Sequence, residues 1–177
     1  AMRRLSIIDI QGGSQPLFNE DKTVALIING EIYNYIELRD ELKAKGRAFA
    51  TGSDCETVVH AYEEYGDAFI DHLRGMFAFC LYDGKKGIVI LGRDRLGEKP
   101  LYLYEDGGSL AFSSEMKSLI TLIPKGQKKP NHDALYAYFH YQYIPDPLTA
   151  ISGVRKLPPA TVLKIDLRDF SQSEKRY

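Results

Sequence analysis

Cysteine is scarce in this chain. Cys55 and Cys80 are the only two, far apart, with no Cys-x-x-Cys spacing and no Cys/His cluster. That excludes a disulfide framework, argues against a structural zinc, and fits a reducing compartment. An excess of one charge is also missing: 23 Lys and Arg stand against 24 Asp and Glu, for a net charge of −1, mixed along the chain. Such a balance gives no electrostatic footprint for nucleic acid and no basic membrane face. No apolar run is long enough to span a bilayer, and no charged-then-apolar leader opens the sequence. Repeats and low-complexity tracts are absent. A cytoplasmic protein without a membrane or nucleic-acid partner is expected. Ala1 is followed at once by strand-like residues, and the closing "SQSEKRY" is polar with no stop signal, so both ends read as cut from something longer.

What is present suffices for one folded domain. The 177 residues are 44% hydrophobic, and domains usually span roughly 100–200 residues. Chains of this length bury about 70% of their unfolded surface and need no covalent staples.

The patterning places elements of both kinds. "RRLSIIDI" reads as a short strand and "QGGSQPLFNED" as a loop. "KTVALIIN" is a strand with few polar positions, as expected of burial on both faces. Asn34 then reads as a helix N-cap, with Glu37 completing a capping box, ahead of "YIELRDELKAK" and a terminating Gly46. Ser53 and Glu56 repeat that form before "TVVHAYEEY". The period then changes to two. "GMFAFCLYD" and "GIVILGRD" flank Gly84, Lys85 and Lys86 as a hairpin, and "KPLYLYED" and "SLAFSS" flank Gly107-Gly108 as another. "SEMKSLITLI" and "NHDALYAYFHYQY" read as helices, the second stopped by Pro145 and Pro147, and "ATVLKIDL" as a last strand. Grouped strands and helices predict an α+β layered fold with largely antiparallel sheets.

Three short stretches carry chemistry. In "INGEIYN", Asn29 and Gly30 can offer a side-chain NH2 and a backbone N–H close together, the pair a developing oxyanion requires. Alone, Asn-Gly is more often a turn; here a helix follows, not a returning strand. In "GSDCE", Asp54 falls in the first turn of a helix, where it suits the dipole or an ammonium ligand. Arg4 in "RRLSIID" is a planar guanidinium suited to a carboxylate. Each alone has a bland explanation. Together they describe a pocket for an amino acid with a side-chain amide, which is glutamine.

The motifs "RRLSIID", "NGEIYN", "TGSDCE", "GMFAFCLYD", "GRDRLGEKPLY" and "SSEMKSL", in this order, resemble the glutaminase domain of glutamine-dependent asparagine synthetases. That domain is a class II glutamine amidotransferase of the N-terminal-nucleophile (Ntn) hydrolases. The likeness runs through nearly the whole chain, to "YIPDPLTAISGVRKLPPA". It implies a four-layer α-β-β-α sandwich, here lacking its first strands, with residues 1–177 as one partial domain. It implies that Arg4 binds the glutamine α-carboxylate and that Leu5, Ser6, Ile7 and Ile8 form the strand beside it. It further implies that Asn29 and Gly30 are the oxyanion hole, that Glu31 lies near the glutamine amino group, and that Asp54 holds the ammonium.

The nucleophile of that family is a cysteine at the mature N-terminus. Ala1 and Met2 cannot supply it, and Cys55 and Cys80 lack the adjacent amine, so the 177 residues alone are expected to be inactive. No metal and no cofactor is expected in this domain. ATP and magnesium are implied for an absent C-terminal synthetase domain, which is itself an implied partner, and a homodimer is open. "QGGSQ" reads as a surface loop rather than a phosphate loop, and "GRDRLGEKP" as a structural turn. Tyr136, Phe139, His140 and Tyr143 share a helical face, read as core or domain-interface packing. The resemblance implies an ATP-dependent enzyme amidating aspartate to asparagine with ammonia from glutamine. An amidotransferase for another carboxylate, such as a uronic acid in surface-polysaccharide synthesis, and a non-catalytic glutamine-binding or interaction module are the alternatives.

Overall fold

A computed structural model describes Asp9 and residues 13–177. The predicted "RRLSIIDI" strand, with Arg4, Leu5, Ser6, Ile7 and Ile8, lies outside the described residues.

Among the described residues, nine strands form two antiparallel sheets. The larger runs β1 (Leu17–Phe18), β2 (Val24–Ile32), β3 (Gly75–Asp83), β4 (Ile88–Arg93), β8 (Thr161–Asp166) and β9 (Gln172–Arg176) side by side. The smaller orders β6 (Ser109–Ser113), β5 (Tyr102–Asp106) and β7 (Val154–Lys156). Period-two alternation sorts side chains onto the two faces of the large sheet. Phe77, Phe79 and Leu81 of β3 join Ile88 and Ile90 of β4 in one core; it takes in Leu38 and Leu42 of α1 (Tyr35–Ala44) and Val58, Val59 and Tyr62 of α2 (Glu56–Tyr65). Ala78 and Leu91 face the other way, into a second core with Leu101, Leu103, Leu163 and Ile165 between the sheets. A third cluster packs Leu119 and Ile123, from α3 (Met116–Leu122) and the residue after it, onto Tyr104 and Val154 of the small sheet. The layers are therefore α-β-β-α, as the α+β expectation requires.

Both predicted hairpins form. Gly87 closes the first with φ +66°, its N–H donating to Asp83 O at 2.9 Å. Gly107 turns the second. At β3–β4, Gly92 sits opposite Phe79, and a Cβ there would stand 2.3 Å from the ring. The missing side chain makes room for the aromatic.

Several local expectations are corrected. Asn34 does not cap α1 with its side chain. Its Nδ2 donates to His72 O and its Oδ1 accepts from Arg74 N–H, so the amide ties the helix start to the entry of β3. Ser53 is likewise not the cap. Helix α2 starts at Glu56, after Cys55, and Glu56 turns to the preceding loop instead of closing a capping box. Asn131 does cap α4 (His132–Tyr141), accepting from Ala134 N–H. Leu17–Phe18, read as loop, pairs with β2. β7 and β9 were not expected. β2 is buried on one face only: Ala25 and Ile27 are half-buried and Asn29 is exposed.

The "GRDRLGEKP" stretch is a knot of backbone hydrogen bonds. Buried Asp94 accepts from the N–H groups of Phe77, Leu96, Glu98 and Lys99. Buried Arg93 donates to the carbonyls of Lys99, Leu157 and Gly97 and to the Asp146 carboxylate. Every donor nitrogen of this guanidinium is engaged structurally, consistent with a turn and not with a ligand site. Among the described residues, no helix is long and apolar enough to cross a membrane.

Candidate functional site

The expected oxyanion residues lie at the end of β2, where its inter-sheet face is least covered. Asn29 is exposed there, opposite Ala78 of β3. A cleft of about 150 Å³ opens beside it, lined also by Ile27, Cys80, Leu101, Phe112 and Ser113. Glu31 follows two residues on, half-buried, on the same face by strand alternation.

Gly30 differs from its neighbours. Its φ is +151°, and a Cβ would stand 2.0 Å from Met76 O and 2.6 Å from Phe77 Cα. Only glycine fits this approach of β2 to β3. Phe77, its register partner, spends both backbone groups on Asp94: its N–H donates to Asp94 Oδ2 and its C=O accepts from Asp94 N–H at 2.8 Å. The Gly30 peptide groups therefore stand outside the β2–β3 ladder.

Among the described residues, side chains line the outer edge of β2 past β1. Gln15 Nε2 donates to Ile28 O at 2.9 Å and Gln15 Oε1 accepts from Ile28 N–H at 2.7 Å. The Cys55 thiol donates to Gly30 O at 3.8 Å. Asp54 Oδ2 accepts from Ile32 N–H at 2.8 Å. Among the described residues none accepts from Gly30 N–H, and none donates to Asp54 Oδ1. A backbone donor and one carboxylate oxygen of the buried Asp54 are thus left without a described partner, two residues apart along one edge. The Gln15 clamp was not foreseen, because a glutamine in a Gly/Pro loop carries no periodic signal. Gln15→Ala removes both bonds to the residue before Asn29. On the expectation that Asn29 serves glutamine hydrolysis, the change should lower kcat about 10-fold with little change in KM, since sub-ångström misplacement of a preorganised donor acts on the transition state. Steady-state glutamine hydrolysis by the full-length protein measures this.

The loop bearing Asp54 is fixed from three directions. Arg39 donates to Thr51 O and Ser53 O. Asp9 Oδ2 accepts from Gly52 N–H at 2.7 Å. Glu56 accepts from the Ala50 and Thr51 N–H groups and the Thr51 hydroxyl, and His60 lies 3.5 Å from it. Burial would raise the Glu56 carboxyl, but His60 and those three donors outweigh it and hold it at about 2, against an ordinary 4.5. A lowered carboxyl contributes stability above its unfolded pKa and loses it as pH falls through the folded one. The stability gap between wild type and Glu56→Gln should therefore be full above about pH 4.5 and close towards about pH 2, as read by urea unfolding across that range. A gap that does not change with pH would show that the carboxylate is not what holds the loop.

Neither cysteine has the character of a nucleophile. Cys55 is buried against Gly30 O. Cys80 faces the cleft, yet burial pushes its thiol up to about 12, far above the values of reactive thiols. Among the described residues, no group of three or more His, Cys, Asp or Glu could hold a metal ion.

A family model described as a glutamine amidotransferase domain matches residues 1–177. The chain is 42% identical over 163 residues to asparagine synthetase [glutamine-hydrolyzing] 1 of Bacillus subtilis (strain 168), covering 92% of this chain and 26% of that protein. It is 41% identical over 169 residues to asparagine synthetase B [glutamine-hydrolyzing] of Escherichia coli (strain K12), covering 88% and 30%. It is 54% identical over 120 residues to asparagine synthetase [glutamine-hydrolyzing] 2 of Arabidopsis thaliana, covering 67% and 20%. The chain thus spans less than a third of the length of these relatives. Two solved structures share the fold. One is a glutamine phosphoribosylpyrophosphate amidotransferase from B. subtilis complexed with ADP and GMP, at TM-score 0.62 and 21% identity, covering 92% of this chain and 31% of that one. The other is an allosteric regulatory enzyme of purine biosynthesis, at TM-score 0.67 and 21% identity, covering 93% and 31%.

Proposed function

The chain belongs to the glutamine amidotransferase domain family, and on that premise we propose that residues 1–177 form the glutamine-binding, ammonia-releasing domain of an asparagine synthetase. The observation that carries the reading is the end of β2. There the exposed Asn29 amide adjoins a Gly30 N–H outside the β-ladder, with buried Asp54 two residues along the same edge. Glutamine presents the matching groups. Its α-ammonium goes to Asp54, with Glu31 nearby, and its α-carboxylate goes to Arg4 beside Leu5, Ser6, Ile7 and Ile8. Its carboxamide oxygen goes to Asn29 Nδ2 and Gly30 N.

The chemistry is acyl transfer to a thiolate. Cys55 and Cys80 are unsuited to it, so the nucleophile is assigned outside the described residues. Attack on the carboxamide carbon turns its oxygen into an alkoxide, which the Asn29 and Gly30 donors stabilise. Collapse expels the nitrogen, which takes up a proton and leaves as ammonia. Water then hydrolyses the thioester to glutamate. Amidation of aspartate, with ATP and magnesium, is assigned to the portion of the protein beyond this domain, and no residue here is given a part in holding either.

Full-length protein supplied with glutamine, ATP, magnesium and aspartate should release glutamate and form asparagine in near-equal amounts. Glutamate without asparagine, or with a different amide when uronic acids are supplied, would overturn the acceptor half of the reading. No glutamate at all would overturn the glutaminase half.

A further inference from the structure

His60, on α2, is a buried histidine held between two carboxylates. It is 1% exposed and packs edge-on against the Phe49 ring, with 4.5 Å between ring centres. Its Nδ1 lies 3.0 Å from Glu63 Oε2 and its Nε2 3.5 Å from Glu56 Oε1. Among the described residues, Nε2 has no hydrogen-bond partner. A neutral imidazole carries one N–H and one lone pair. In either tautomer, therefore, a lone pair faces one of the two carboxylates. Only the imidazolium presents an N–H to both.

Other elements bring further charge towards the ring. Arg47, in the loop after α1, reaches Glu63 Oε2 at 3.8 Å, and Asn19, between β1 and β2, donates to Glu63 Oε1 at 2.9 Å. Arg39 and Lys43 of α1 lie 4.6 and 6.0 Å from the centre of the Phe49 ring. Glu20 and Lys22 line the cavity that His60 borders. Burial opposes a charge on the imidazole, as do these cations. Glu56 and Glu63, in direct contact, outweigh them and hold the imidazole above its ordinary 6.5.

A short chain of contacts joins this histidine to the candidate pocket. Glu56 accepts from the Ala50 and Thr51 N–H groups and from the Thr51 hydroxyl. That hydroxyl oxygen in turn accepts from Ser53 N–H at 3.1 Å, and Asp54 is the next residue. A cavity of about 340 Å³ lies against Ala50, Thr51, Glu56 and His60, so this side of the loop rests on hydrogen bonds rather than on packing. We propose that His60 is a positioning residue for glutamine, whose proton sets glutamine affinity through Glu56 and the loop leading to Asp54; the inference rests on the function proposed above, with Asp54 receiving the ammonium. Loss of the proton turns a lone pair towards a carboxylate and loosens Glu56 from the ring. The loop and Asp54 then move relative to Gly30. Arg39 and Asp9 still hold the loop, so the effect is graded. A raised histidine contributes fully below its ordinary pKa, and the contribution is lost as pH climbs through the raised one.

The test is the pH profile of glutamine hydrolysis by the full-length protein, with KM and kcat read separately. From about pH 6 to about pH 8.5 the KM for glutamine is expected to rise about 3- to 10-fold, the size of one hydrogen bond, in a step that kcat does not share. His60→Gln, neutral throughout, should remove the step and hold KM near its high-pH value. Glu63→Gln keeps the histidine but takes away one of its carboxylates, so the step should move to lower pH, a shift that a merely structural role would not produce. It also carries the test should His60→Gln fail to fold. A KM flat across the range, a step that survives in His60→Gln, or one that stays in place in Glu63→Gln would overturn the proposal. Asp54→Asn, measured alongside, reads the pocket by itself. A raised KM in that variant with a flat wild-type profile defeats the His60 inference alone; an unchanged KM defeats the pocket reading and the inference with it.

Discussion

Asp54→Asn in the full-length protein is expected to raise the KM for glutamine roughly 10- to 100-fold, the size of one charge-assisted hydrogen bond, and to leave kcat nearly unchanged. The reason lies in how the carboxylate is divided. One oxygen accepts from Ile32 N–H at 2.8 Å, a bond that the asparagine carbonyl keeps. The other is without a described donor, and the substitution puts an NH2 where the ammonium of glutamine would bind. The change therefore replaces attraction by a facing donor while the strand edge stays intact. Thermal stability should stay close to wild type. Asp54→Ala, by contrast, also abandons Ile32 N–H and should cost about 1–3 kcal/mol of stability. Initial-rate kinetics with glutamine, alongside thermal melts of both variants, separate the two roles. A KM unchanged in Asp54→Asn would remove this residue from the pocket.

Gly30→Ala should act on the fold itself. A methyl group 2.0 Å from Met76 O and 2.6 Å from Phe77 Cα meets backbone, not a side chain that can swing aside. Position 30 also has φ +151°, where an L side chain is strained. Overpacking and backbone strain each cost about 1–3 kcal/mol, so a total loss of about 3 kcal/mol or more is expected. That is a large part of the roughly 5–15 kcal/mol that keeps a domain folded. Chemical denaturation of the purified variant measures it, and insolubility on expression would be the extreme form of the same result. A stability within about 1 kcal/mol of wild type would mean that β2 can withdraw from β3 without cost. The close approach would then have no part in holding the Gly30 peptide in place.

Strand periodicity exposed much of this architecture. The nearly unbroken apolar runs in "GMFAFCLYD" and "GIVILGRD" marked β3, β4 and their turn, because almost every position in those strands is buried or half-buried. Asn131, which the sequence pattern did not single out, caps α4 because no tertiary contact draws its side chain elsewhere. Asn34 and Ser53 have the same residue chemistry, but tertiary contacts outbid the local motif. His72 O and Arg74 N–H draw the Asn34 amide to β3, and the Ala50–Thr51 backbone draws Glu56 from its capping role. β9, "QSEKR", is exposed throughout; its pairing with β8 leaves no hydrophobic signature. The candidate site was legible as residue types, Asn29, Gly30 and Asp54. The edge geometry that relates them was not. It depends on Gln15, Cys55 and Asp94, whose contacts are set by pairing across 13 to 25 positions of sequence.

In the proposed mechanism Asn29, beside Gly30, stabilises an oxyanion during glutamine hydrolysis. The most direct measurement is the steady-state kinetics of Asn29→Ala in the full-length protein, together with its affinity for glutamine by calorimetry. Removing one oxyanion donor costs about 10²–10³ in kcat, so a fall of that size with glutamine affinity preserved is the predicted result. An unchanged kcat, or a loss confined to glutamine binding, would contradict it.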